Sequence, residues 1–169
     1  IAMFSPDSDS GFTPKAIEFI NESELAETYL WDFGDGNSSQ LINPVHVYNE
    51  EGRYVVKLTA FNELGCLDTV SFSFLDILRS RLYAPNAFTP NDDGFNEVFR
   101  FPHIGIERMT MKIFTRWGDL IYEETSEDPS WNGVYKGVTV PEGVYVYTLD
   151  VLEIGGFSYT KAGTVTLIR

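Results

Sequence analysis

The side chains best placed to do chemistry crowd into one short stretch near the middle of the chain, Asn91-Asp92-Asp93-Gly94-Phe95-Asn96-Glu97. Carboxylate and amide oxygens are hard ligands, and Ca²⁺ takes about six to eight of them at about 2.3–2.6 Å. Asn91, Asp93, Asn96 and Glu97 could supply several, with Gly94 permitting the sharp backbone turn that convergence needs. The spacing is not that of an EF-hand, because Thr89 stands where the first Asp of that loop belongs. The competing reading is structural. Asn and Asp also build turns by accepting nearby backbone amides, in which case no cation is needed.

Elsewhere the residue types argue against catalysis. Two histidines, His46 and His103, lie far apart in sequence without a nucleophile motif beside either. Asp32 and Asp35 flank Gly34 and could hold a cation, although an Asp-rich turn bonded to its own amides explains them as well. His46 alternates with Val45 and Val47, the setting of a packed structural histidine. Cys66 is the single cysteine, so no intrachain disulfide forms, and nothing near it marks a reactive thiol. Tyr145, Tyr147, Phe157 and Tyr159 could form an aromatic strip for sugar stacking, or could be core and cross-strand pairs.

The elements that must position these residues read as strands throughout. With 43% hydrophobic and 15% aromatic residues, 169 residues suffice for one large core or two small ones. Period-two alternation recurs in Ala16–Ile20, Tyr29–Phe33, Pro44–Tyr48, Tyr54–Phe61 and Asp68–Phe74, separated by turn signals such as Gly34-Asp35-Gly36-Asn37. In the first of these either Ile17 and Phe19 or Ala16, Glu18 and Ile20 could face the core. Leu75–Arg81 lacks Gly and Pro and is predicted as a short, stiff junction. Beyond it Met109–Trp117 alternates, Gly118-Asp119 turns, Trp131 anchors a loop-rich segment, and Gly155-Gly156 reverses the chain into Phe157–Arg169. The expectation is an all-β chain of two tandem immunoglobulin-like antiparallel β-sandwiches, over 1–78 and 79–169, the second with about seven strands.

The formal net charge is −13, divided as −10 over residues 1–78 and −3 over 79–169. Phosphate backbones need clustered Lys and Arg, so a nucleic-acid partner is excluded. No apolar run is long enough for a membrane-spanning helix, and no signal peptide or lipidation motif is present. Beginning at Ile1 in strand-like sequence, the chain reads as a fragment of a longer protein.

Two resemblances add to this reading. YLWDFGDGNSS, NPVHVYNEEGRYVVKLTA and NELGCLDT resemble a PKD domain, an immunoglobulin-like spacer of large surface proteins. Bacterial relatives often pair the cysteine at position 66 with one ahead of Pro14, where this chain has Gly11-Phe12-Thr13. From Tyr83 onward, APNAFTPNDDGFNE, IFTRWGDLIYEE, SWNGVYKG, VPEGVYVYTLDV and KAGTVTLIR resemble the gliding-motility-associated C-terminal domain of Bacteroidetes surface proteins. Thr115 replaces that family's usual Asn, Asn132 its usual Asp, and Asp92 its usual Gly, so Asp92 stays outside the candidate ligand set.

The second resemblance implies a folded export signal of the type 9 secretion system, of the class associated with SprF/PorP-like outer-membrane barrels. It implies delivery through the periplasm and outer membrane to the cell surface or medium, with a gliding adhesin as the expected parent protein. The candidate partner contact is Thr164, Val165, Thr166, Leu167, Ile168 and Arg169, whose backbone could add to a strand of the barrel or of other translocon components. The alternative is a carbohydrate-binding or adhesive module.

Overall fold

The computed structural model describes residues 1–73 and 75–169. The described residues contain no helix, and they divide into two compact units, Ile1–Arg79 and Ser80–Arg169.

In the first unit, Lys15–Asn21 lies between Phe4–Pro6 and Val45–Tyr48. It takes the register that buries Ile17 and Phe19 completely and turns Ala16, Glu18 and Ile20 outward. Of the two alternations open in the sequence, the one that removes the larger apolar pair from water prevails. A four-stranded sheet runs Ser38–Ser39, Thr28–Asp32, Lys57–Phe61, Leu67–Ser71. Trp31 and Leu58 face the core from it. Phe4 meets Trp31 edge-on at 5.0 Å, and the indole Nε1 donates to the Leu41 carbonyl at 2.9 Å. The strand expected to run to Phe74 ends at Ser71; Phe74 itself lies outside the described residues.

The predicted junction is partly wrong in kind. Leu75–Leu78 is a strand, paired antiparallel to Gly52–Tyr54 and parallel to Ser10–Phe12, with Leu75 and Ile77 buried. The absence of Gly and Pro, which suggested stiffness, also suits a strand that alternates apolar and polar residues.

The second unit is built on a five-stranded sheet in the order Ala87–Phe88, Ser158–Leu167, Gly143–Glu153, Ile106–Phe114, Leu120–Ser126. Its inner face presents Met109, Met111, Ile113, Tyr145, Tyr147, Leu149, Val151, Val165 and Leu167. Opposite it stand short ladders, Phe99–Arg100 with Ser130–Trp131 among them, rather than a full second sheet. Pro102 and Pro129 interrupt these segments, so coverage of the sheet falls to single large rings. Trp131 is wholly buried, packs edge-on to Tyr145 at 5.1 Å, and donates from Nε1 to the Val134 carbonyl at 3.1 Å. The Glu124 carboxylate fastens the preceding loop by accepting the Ser130 amide at 2.9 Å.

Both predicted hairpins form, with Gly118 and Gly156 in the left-handed region (φ +94° and +81°). Pairing is antiparallel except between Ser10–Phe12 and Leu75–Leu78, and between Ala87–Phe88 and Ser158–Leu167.

Candidate functional site

The loop Asn91–Glu97 is organised by its own acidic side chains. One Glu97 oxygen accepts the Asp92 amide at 3.0 Å and the other the Gly94 amide at 2.9 Å. Asp93 accepts the Phe95 amide at 2.8 Å and the Asn91 side-chain amide at 3.1 Å, while the Asn91 side-chain oxygen accepts the Asp93 amide at 3.2 Å. Asn96 contributes its backbone carbonyl, which accepts the Thr89 amide at 2.8 Å.

These bonds hold the chain through three left-handed residues, Asp92 (φ +63°), Gly94 (+86°) and Asn96 (+53°). Only Gly, Asn and Asp adopt that conformation readily. Asp92 therefore occupies a position where the resembling family's glycine is conformationally natural. Asn91, Asp93 and Glu97 do converge, but each aligned oxygen already serves an N–H donor. Among the described residues no group of three or more His, Cys, Asp or Glu is arranged to hold a metal ion.

The candidate contact strand lies within the five-stranded sheet, between Ala87–Phe88 and Gly143–Glu153. Val165 and Leu167 are buried, and the Thr166 and Ile168 amides donate to the Asn86 and Phe88 carbonyls at 2.8 and 3.2 Å. Arg169 is fastened too: its amide donates to Glu142 at 2.7 Å and its guanidinium to the Val140 carbonyl at 2.7 Å. Thr166 and Leu167 are thus paired on both sides, whereas Thr164, Ile168 and Arg169 keep exposed side chains. Pairing with Ala87–Phe88 is a contact of long sequence separation, which local pattern does not signal.

The aromatic strip splits. Tyr145 and Tyr147 are buried in the core, the latter 5.3 Å from both Phe99 and Phe101. Phe157 is exposed, with partly buried Tyr159 at 6.1 Å. An exposed tryptophan lies elsewhere and was not foreseen. Trp117 is 85% exposed at the hairpin tip, and Leu120, Val144 and Val146 are exposed on the strands of the same sheet. The alternation expected to run to Trp117 ends at Phe114, which leaves this Trp in the turn beside Gly118.

In the first unit His46 stacks on Phe33 at 4.1 Å, and its Nε2 lies 2.7 Å from Asp35 Oδ2. Burial alone would raise the Asp35 carboxyl, but hydrogen bonds with His46 and Asn37 outweigh it and hold it below the ordinary value. Asp32 accepts the Gly34 amide at 3.0 Å and Asp35 the Asn37 amide at 3.0 Å. The Asp pair is the frame of a turn. His103 bonds the Phe101 carbonyl at 2.8 Å, and Cys66 is exposed in a turn. Each histidine is occupied within its own unit and neither faces a nucleophile.

Comparison with known proteins agrees with this division. Residues 82–167 match the family described as CHU_C Type IX secretion signal domain, and residues 13–74 match the PKD domain. The chain is 41% identical over 61 residues to collagenase ColQ1 of Bacillus cereus, a stretch that is 33% of this chain and 6% of that enzyme. It is 36% identical over 76 residues to collagenase ColA of Clostridium perfringens, 45% of this chain and 7% of that enzyme. The chain thus spans less than a tenth of these relatives' length. Among solved structures, the PKD1 domain of the Vibrio cholerae metalloprotease PrtV is similar at 27% identity and a TM-score of 0.41, over 46% of this chain and 94% of that one. Taking in just over half of the residues, the first of these matches makes the chain a member of the CHU_C type IX secretion signal family, with a PKD domain preceding the signal.

Proposed function

We infer that residues 80–169 are the element by which a larger protein is handed to the type IX secretion machinery, and that the PKD unit ahead of it is a non-catalytic spacer. The observation that carries this reading is the family match over 82–167, which falls within a unit that has its own core. The cargo is a cell-surface or secreted protein, an adhesin in the leading version, delivered through the periplasm and across the outer membrane. Its recognition partner is an outer-membrane β-barrel of the SprF/PorP-like type together with other translocon components.

Calcium belongs to the same reading as a structural ion on the Asn91–Glu97 loop. Asn91, Asp93, Asn96 and Glu97 would offer it lone pairs left over from the amide bonds, so the site would be weak. A glycan-binding role draws less support, because two of its four aromatics are core residues.

The test is to fuse residues 80–169 to a periplasm-directed reporter in a host with a working type IX system. Reporter outside the cell is the expected result, and retention in the periplasm is the contrary one.

A further inference from the structure

At Thr166 and Leu167 the last strand is paired on both sides, so a partner at this end of the sheet meets side chains rather than backbone. The hairpin tip at 115–119 carries the most exposed aromatic ring of the unit, Trp117. That turn closes without the indole. The Thr115 amide donates to the Asp119 carbonyl at 2.9 Å, and the Gly118 amide to the Thr115 carbonyl at 3.0 Å. Thr115 Oγ1 accepts the Trp117 and Asp119 amides at 3.3 and 3.2 Å and donates to the Asp119 carboxylate at 3.2 Å. These bonds fix the backbone from which Trp117 projects, yet its ring meets no hydrogen-bonding, aromatic or charged partner among the described residues. Trp31 and Trp131 are wholly buried. Trp117 forgoes that burial, and nothing in the turn requires so large a ring.

Charge at the same end points the same way. Arg116 Nη2 lies over the start of the strand Gly143–Glu153, where a Cβ on Gly143 would come within 3.3 Å of it. Arg169 reaches the adjoining residue, its amide donating to Glu142 at 2.7 Å. Both positive charges bear on the Tyr145 hydroxyl, which donates to the Pro141 carbonyl at 2.6 Å. The acidic side chains of these segments are already engaged, Asp119 by the Thr115 hydroxyl and Glu142 by the Arg169 amide. Neither guanidinium has a carboxylate partner among the described residues. Trp and Arg are the side chains in which the energetic centres of protein interfaces are richest.

We propose that this end of the sheet is the face read during export: Trp117 enters an apolar pocket on a protein of the translocation machinery, and Arg116 and Arg169 meet carboxylates around that pocket. Such a contact rests on residues 80–169 being the export element, as inferred above. A protein pocket fits the tip better than a lipid surface does. Lipid binding grows with the apolar area inserted, and the tip offers one ring flanked by Arg116, Gly118 and Asp119. A ring on a rigid turn gives up little freedom when it is buried, and guanidinium–carboxylate pairs fix the orientation of the two bodies.

The test is export of the whole chain fused to a periplasm-directed reporter, in a host with a working type IX system. The native chain is compared with W117A, W117F, R116E and F157A. Phe157 is 60% exposed in the hairpin between Gly143–Glu153 and Ser158–Leu167, so F157A controls for the loss of any exposed ring. W117A and R116E should each lower the extracellular fraction at least about tenfold. W117F should lose less than W117A, and F157A should match the native chain. Purified, all four variants should unfold at the native urea midpoint, because none of these side chains is buried. Native-like export of W117A or R116E overturns the proposal and leaves the export reading standing, as does an equal defect in F157A. A fallen midpoint that accounts for the defect also overturns it. So does Trp117-dependent binding of the purified chain to vesicles of phosphatidylethanolamine and phosphatidylglycerol, which would assign the tip to lipid. A native fusion held in the periplasm overturns both readings.

Discussion

Glu97 shows what the acidic residues of this chain do. A carboxylate that accepts two backbone amides replaces the ladder bonds that a left-handed loop cannot make. Glu97→Gln removes the charge and one acceptor, and the thermal midpoint of the second unit should fall by an amount corresponding to about 1 kcal/mol. A calcium ion with a dissociation constant of about 1 mM would add about 1.4 kcal/mol at about 10 mM calcium. Calorimetry with calcium and with EDTA reads this directly, and equal midpoints in the two would remove calcium from the account. Asp35 gives a pH signature. Its folded carboxyl titrates below the ordinary carboxylate value, so its contribution is present above that value and fades as the pH falls through the lower, folded one. Asp35→Asn should therefore cost roughly 1 kcal/mol at neutral pH, with the difference from the native chain closing in strong acid. A penalty unchanged between neutral pH and strong acid would contradict that origin. At this scale the sequence was half informative. Residue type named the loop, yet a cation and a set of backbone amides ask for the same oxygens, and only their directions separate the two.

Strands were more legible than the surfaces they bury. Period two marked most of the long strands and both hairpins, because one face of each lies against a core. The end of the first unit was missed because Leu75–Leu78 acquires its role from two distant partners, Ser10–Phe12 and Gly52–Tyr54. The second layer of the signal unit was expected as part of a sandwich with Trp131 anchoring it, but its pairing was not legible for a related reason. Its covering rings sit on two-residue ladders, too short to leave a period. Trp131 is the centre of that layer, and Trp131→Ala should destabilise the unit by about 3–5 kcal/mol in urea titration. Trp131→Phe keeps most of the apolar contact but leaves the Val134 carbonyl without its donor, so a smaller loss of about 1–2 kcal/mol is expected. Equal losses in the two variants would mean that the indole N–H adds nothing.

At the scale of the molecule, the histidines and buried polar groups among the described residues are held in structural contacts. Histidines are committed to a turn and to a carbonyl, the single thiol is exposed in a loop, and every buried side-chain polar atom among the described residues has a partner. What the second unit offers instead is shape: an all-β body held by a few large rings, with an exposed Trp117 at one hairpin tip. The order of the two units, PKD domain then secretion signal, was legible from motif-bearing loops, since turn residues at fixed positions are what a fold of this kind demands of its sequence. The central claim is that the signal acts as a folded body. Export of a reporter fused to residues 80–169 should therefore be compared between the native sequence and the Trp131→Ala form, at a temperature where the first is folded and the second is not. The account expects reporter in the medium or on the surface only for the native form. Equal export of both would contradict it.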